Sequence, residues 1–200
     1  MNFSSWPALL VVDVEGNGGN PPDLVEVAAL PVRDGRPDKS TAGAWLTRPR
    51  RPVTPVAARI HGLTNERLAN KPSWEEIADQ VHGLLDTSWI CAHNAHVDYK
   101  VLAAHLPQWR PAGVLDTLRL ARATYRGLPK YSLDALIEHV QPDLAHAPAQ
   151  RHRATYDAYA TAQLLIAMAT HYDTWGQLVA AAVPPGLPGA PEPAKDPTLW

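Results

Sequence analysis

The chain has 200 residues, a net charge of −2 and 46% hydrophobic residues, which suits one domain with a real core. No run reaches the roughly 18 consecutive apolar residues of a membrane span, and the charge balance excludes the bulk basicity of a protein that coats nucleic acid. The single cysteine, Cys91, excludes an internal disulfide and fits a reducing, cytoplasmic compartment.

The opening MNFSSWPALL has neither a basic region nor a long apolar stretch, so no secretion signal is expected. Residues 8–14 read as a buried strand, continuous and β-branched. A second strand is expected over 23–32, an Asp34–Gly35 turn after it, and a third strand over 41–47, the three forming a meander. The proline-rich TRPRRPVTP is a loop. A short helix follows near 55–60, and Thr64 is placed to cap another. SWEEIADQVHGLL has Ser73 and Glu76 at capping-box spacing, then apolar residues at helical period.

WICA (89–92) reads as a strand, with helix from about 97; GVLD (113–116) is a short strand leading into TLRLARATY. Ser132 caps LDALIEHV, and a long helix runs from about 154 to 170. This alternation predicts an α/β fold with a mixed sheet covered by helices. Residues 184–200 are proline-rich and read as an extended tail behind a domain spanning 1–183. Basic residues gather at 48–52, at Arg119, Arg122, Arg126 and Lys130, and at 151–153; each cluster alone has the ordinary reading of a solvated face.

The chemistry begins in VVDVEGNGGN (11–20). Strand side chains alternate, so Asp13 and Glu15 point to one side of the sheet, where they repel each other and lose hydration. Asp98 and Asp157 fall in first turns of helices, where a dipole explains them, and Asp116 is placed to cap the helix at Thr117. Neither account serves Asp13 and Glu15. A divalent metal does, because hard cations take carboxylate oxygens and cancel their repulsion. The glycines fit neither a dinucleotide fingerprint nor a phosphate-binding loop. His93 and His96 lack the partners of a zinc site.

In order, Asp13-x-Glu15, Asp98 and His152-x4-Asp157 resemble the DEDDh (DnaQ-like) exonucleases, which include the proofreading subunit of bacterial replicative DNA polymerase. VVDVEG matches the first family motif, HNAHVD the second with Val97 in place of an aromatic, and HRATYDAYAT the third. RIHGLTNERL, LDTLRLAR and YSLDAL resemble further family stretches, and the likeness covers roughly residues 8–170. It implies the ribonuclease-H-like exonuclease fold, with a five-stranded mixed sheet. It also implies two Mg²⁺ or Mn²⁺ ions held by Asp13, Glu15, Asp98 and Asp157, and His152 as the base that takes a proton from water, a task suited to histidine. The implied reaction is 3′–5′ hydrolysis of single-stranded or frayed 3′ ends, DNA before RNA, releasing nucleoside 5′-monophosphates, with a DNA polymerase as a further partner.

Gly16, Asn17, His61, Leu63 and Asn94 are expected at the substrate. Gly16-Asn17 replaces the family's Thr-Thr, and Asn17 is the polar side chain expected to reach the terminal sugar. Two alternatives fit the same residues: a non-catalytic nucleic-acid- or polymerase-binding module, and an oligoribonuclease-like phosphodiesterase acting on small nucleotides.

Overall fold

The computed structural model describes residues 2–148 and 150–190. It contains strands β1 (Leu9–Gly16), β2 (Leu24–Arg33), β3 (Arg36–Pro37), β4 (Gly43–Leu46), β5 (Trp89–Ala92) and β6 (Gly113–Asp116). The helices are α1 (Pro55–His61), α2 (Asn65–Leu68), α3 (Trp74–Leu85), α4 (His96–His105), α5 (Thr117–Thr124), α6 (Leu133–Val140), α7 (Ala154–Ala169) and α8 (Trp175–Ala182). The six strands form one sheet, ordered β3-β2-β1-β5-β6, with β4 also pairing β2. β1 runs antiparallel to β2 and parallel to β5, so the sheet is mixed as the alternation predicts.

The sixth strand comes from the meander. Asp34 and Gly35 both take positive φ, as a tight hairpin turn needs, and β3 pairs with the end of β2. Asp38 then caps a short 3₁₀ turn, and the chain rejoins β2 as β4, within the expected third strand, while β3 is an added short strand in the expected turn. Ser73 and Glu76 form the capping box of α3, and Thr54, Thr64 and Ser132 cap α1, α2 and α6.

Strand alternation sends β1 into two cores. Leu9 and Val11 pack toward α5, α6, α7 and α8. Leu10 and Val12 pack toward α3 and α4 on the other face. α7 is buried on most sides and is lined with alanines, which let it lie close to β1 and β2. α8 was not expected from the sequence. Its apolar WGQLVAAA is capped by Thr174, and Trp175 meets Trp89 edge-on at 5.2 Å.

The first part of the expected tail falls within the described residues. Residues 184–190 fold as successive turns against β6, and the Val114 N–H donates to the Pro188 carbonyl at 2.9 Å. Leu187 and Ala190 pack on the cores of the two faces. Residues 191–200 lie outside the described residues. Among the described residues no helix is long and apolar enough to cross a membrane.

Candidate active site

Asp13 and Glu15 continue the odd-numbered side of β1, which faces α7. Asp157 lies in the first turn of α7 and projects toward them. One carboxylate oxygen from each of Asp13, Glu15 and Asp157 lies within 4.8 Å of the others. Asp98 arrives from the opposite layer, in the first turn of α4, whose Val101 and Leu102 pack with Leu10 and Val12. The β1–β5 ladder ends at Val11 opposite Cys91. The Val14 N–H, beyond that ladder, donates to Asp98 Oδ1 at 3.1 Å. The acids thus meet at the end of β1 from both faces of the sheet.

Burial and mutual repulsion raise the pKa of each of these carboxyls. Asp13 is pushed well above the usual range, by burial first and then by the charges of Asp98, Asp157 and Glu15. Burial and neighbouring acids push Glu15 up to about 8. Burial pushes Asp98 up to about 7 against the opposing Val14 hydrogen bond. Asp157 is raised by burial, with His152 opposing the shift. A set of oxygen ligands that cannot ionise together without a counter-charge fits a hard divalent cation.

His152 is exposed immediately before α7, with φ at 55°. The reading from sequence missed what seats it. Glu26, buried on β2 opposite Glu15, receives two bonds from Arg153, Nε to Oε2 and Nη2 to Oε1, both 2.8 Å. The Ala154 N–H donates to Glu26 Oε2 at 3.1 Å, so one carboxylate anchors the first residues of the helix that carries Asp157. Arg153 offers α7 no side-chain cap, and Glu26 supplies that role from another strand. The sequence signal was available, since Glu26 is a lone acid inside the apolar run of β2, the same anomaly that marked Asp13.

Two expected substrate contacts, Asn17 and Leu63, lie in the interior, and a third, His61, is bonded to the backbone. Asn17 is buried, not facing substrate. Its Oδ1 accepts from the Gly19 and Asp23 N–H groups at 3.0 and 2.9 Å, and its Nδ2 donates to Asp23 Oδ2 and the Arg51 carbonyl. It ties the glycine loop together and has no group left for a sugar. Leu63 is wholly buried with Val25, Val53 and Leu68, so it is core. His61 Nδ1 accepts from the Leu63 N–H at 3.1 Å, so Nε2 carries the proton and donates to the Gly16 carbonyl at 3.3 Å. Both ring nitrogens are thereby occupied, and burial lowers its pKa, which keeps the ring neutral.

Gly16 and His61 instead help line a largely apolar cavity of about 230 Å³, beside Glu15 and walled by Ile60, Val97 and Val101. Ile60 and Val97 are 59% and 52% exposed, unusual for such side chains. Asn94 is exposed, with φ at 65°, and its N–H donates to Asp116 Oδ1 at 3.1 Å. Asp116 caps α5, as its position suggested, through the Leu118 and Arg119 N–H groups.

The mixed sheet, the covering helices and the acids gathered at the end of its central strand define the class: an exonuclease domain of ribonuclease-H-like fold. The chain belongs to the exonuclease family, whose profile matches residues 10–165. It is 35% identical over 159 residues to exodeoxyribonuclease 10 of Escherichia coli K12, covering 79% of this chain and 67% of that protein. It is 34% identical over 166 residues to the PolC-type DNA polymerase III of Thermotoga petrophila, covering 78% of this chain and only 11% of that protein. Among solved structures, exonuclease X in complex with 5′ overhanging duplex DNA superposes with a TM-score of 0.72 at 33% identity. That match covers 85% of this chain and 96% of the other.

Proposed function

We propose that this chain hydrolyses phosphodiester bonds one nucleotide at a time from the 3′ end of DNA, releasing nucleoside 5′-monophosphates. The observation that carries this is the convergence of three carboxylate oxygens within 4.8 Å at the open end of β1. Asp13, Glu15, Asp98 and Asp157 would hold Mg²⁺ or Mn²⁺, and two such ions supply an activated water and stabilise the leaving oxygen. The protein's own groups supply the remainder. His152, exposed beside Asp157, takes the proton of the attacking water. The apolar cavity receives the face of the terminal base between Ile60 and Val97, excluding water from the reacting phosphate. His61 fixes the Gly16 carbonyl at the rim of that cavity.

DNA is favoured over RNA by the relatives: one is named an exodeoxyribonuclease, and a similar structure holds duplex DNA. Single-stranded or frayed ends suit a cavity that admits one base. Association with a DNA polymerase rests on relatives named as PolC-type DNA polymerase III and as the epsilon subunit of DNA polymerase III, and a cytoplasmic location on the one buried free thiol, Cys91. The test uses one oligonucleotide labelled at either end, with Mg²⁺, Mn²⁺ or EDTA. The expected result is immediate release of mononucleotide from the 3′ label and a ladder from the 5′ label, both abolished by EDTA and by Asp157→Asn. Binding without cleavage under every metal condition would overturn the reading in favour of a non-catalytic module.

A further inference from the structure

Of the three basic clusters in this chain, two have arginines paired with carboxylates within the fold. Arg51 pairs with Asp23 and Arg50 with Glu75. Arg151 pairs with Asp134 and Arg153 with Glu26. The third differs. Arg119, Arg122 and Arg126 recur at helical spacing along one exposed face of α5 and its C-terminal end. Among the described residues none of the three makes an ion pair with a carboxylate, although Arg122 lies over the Tyr131 ring at 5.9 Å.

All three line an open groove of about 610 Å³ between α5 and the C-terminal end of α8 with the residues just after it. The facing wall is Ala180, Ala181 and Pro184, small and uncharged. The one acid on the groove, Asp116, is buried and already accepts from three backbone N–H groups. Among the described residues the groove therefore sets three arginines against one buried carboxylate.

We infer that this groove binds the phosphate backbone of the nucleic-acid strand upstream of the 3′ nucleotide being removed, an inference that rests on the proposed function. The geometry points there for two reasons. One end of the groove is Asn94 and Asp116, at the same end of the sheet as the acids. Asn94 also belongs to the HNAHVD segment that supplies Asp98. β6 lies two strand spacings from β1, roughly 10 Å, so the groove starts beyond the terminal nucleotide. Arg119 to the last residue of α5, Thr124, spans about 7.5 Å along the helix axis at 1.5 Å per residue, and Arg126 lies in the turn just beyond it. That strip covers at least about two phosphates of a stacked strand at 3.4 Å each.

The test compares the parent with Arg119→Ala/Arg126→Ala, which leaves Arg122 on Tyr131. Binding of a fluorescein-labelled 20-nucleotide single-stranded DNA is measured in EDTA by anisotropy across a salt series. The variant is expected to bind at least tenfold more weakly at low salt. Its plot of log affinity against log salt should be shallower by about 1.4, from two lost contacts at about 0.7 each for single strands. With Mn²⁺ present, the loss of kcat/KM should be at least tenfold larger on the 20-mer than on a dinucleotide. Unchanged affinity and slope, or equal losses on both substrates, would overturn the inference. Because the binding measurement needs no turnover, a parent that hydrolyses neither substrate would overturn the proposed function while the groove is still decided by anisotropy.

Discussion

Glu15 holds its proton up to about 8 and Asp98 up to about 7, because burial and like charges disfavour their ionised forms. Between an ordinary carboxyl value of 4.5 and about 8, folded Glu15 keeps a proton that the unfolded chain has lost. Stability must then fall as pH rises through that window and level off below it. Thermal melts in EDTA should show the melting temperature declining from pH 5 to pH 8.5, with a flatter decline in Glu15→Gln. Mn²⁺ should raise it most at the alkaline end, where the ligands are already deprotonated. A flat profile in the parent would mean that the acids do not share a site. Asn17 gives the opposite kind of prediction. Asn17→Ala strips two partly buried N–H groups of their acceptor, at up to about 1–3 kcal/mol each, and each kcal/mol is worth about 2–4 °C in a chain of this size. A clear fall in melting temperature with an unchanged ratio of rates on DNA and RNA 3′ ends is expected. A changed ratio with an unchanged melting temperature would restore Asn17 to the substrate.

At the scale of elements, the seat of α7 depends on a pairing between distant parts of the chain. Glu26 and Arg153 are 127 residues apart, and their ion pair is nearly dehydrated, with side chains 3% and 13% exposed. Removing one partner of such a pair costs about 3–5 kcal/mol, whereas replacing both by apolar residues is often neutral. Glu26→Gln should therefore lower the melting temperature strongly. Glu26→Leu/Arg153→Met should recover it without recovering nuclease rate, because Ala154 has still lost its acceptor and α7 its fixed starting point. Equal recovery of both properties would show that the pair serves stability alone. The same separation explains what was legible. Caps at Ser73, Asp116 and Ser132 are local patterns and read directly, whereas the Glu26 cap joins residues that only the folded sheet brings together.

Across the whole molecule, the sheet and the acids on it were readable because period-two burial and carboxylates inside apolar strands are local anomalies. Less legible were features set by closure of the fold. Asn17 becomes buried only when the loop at Arg51 folds over it, and Leu63 is core only because α1 and α2 pack against β2. α8 is uniformly apolar and short, so it lacks the alternation that announces a surface helix. The proline count hid the folded turns after Val183, where the backbone pairs with β6 in place of another strand. Truncation after Val183 should lower the melting temperature relative to truncation after Ala190, which keeps the Val114–Pro188 hydrogen bond and the packing of Leu187. Identical melting curves for the two truncations would mean that this edge needs no cover.

The bond from the Val14 amide to Asp98 joins a strand residue to a helix on the far side of the sheet from α7. Any ion gripped by Asp98 and Asp157 together therefore rivets the two helical layers through the sheet. Occupancy becomes visible in backbone hydrogen–deuterium exchange, far from any substrate. The Val14 amide and the first turns of α4 and α7 should slow together on adding Mn²⁺, and in Asp98→Asn they should lose that concerted slowing. The metal would then set how firmly the two halves of the domain are held to one another, before any nucleic acid arrives.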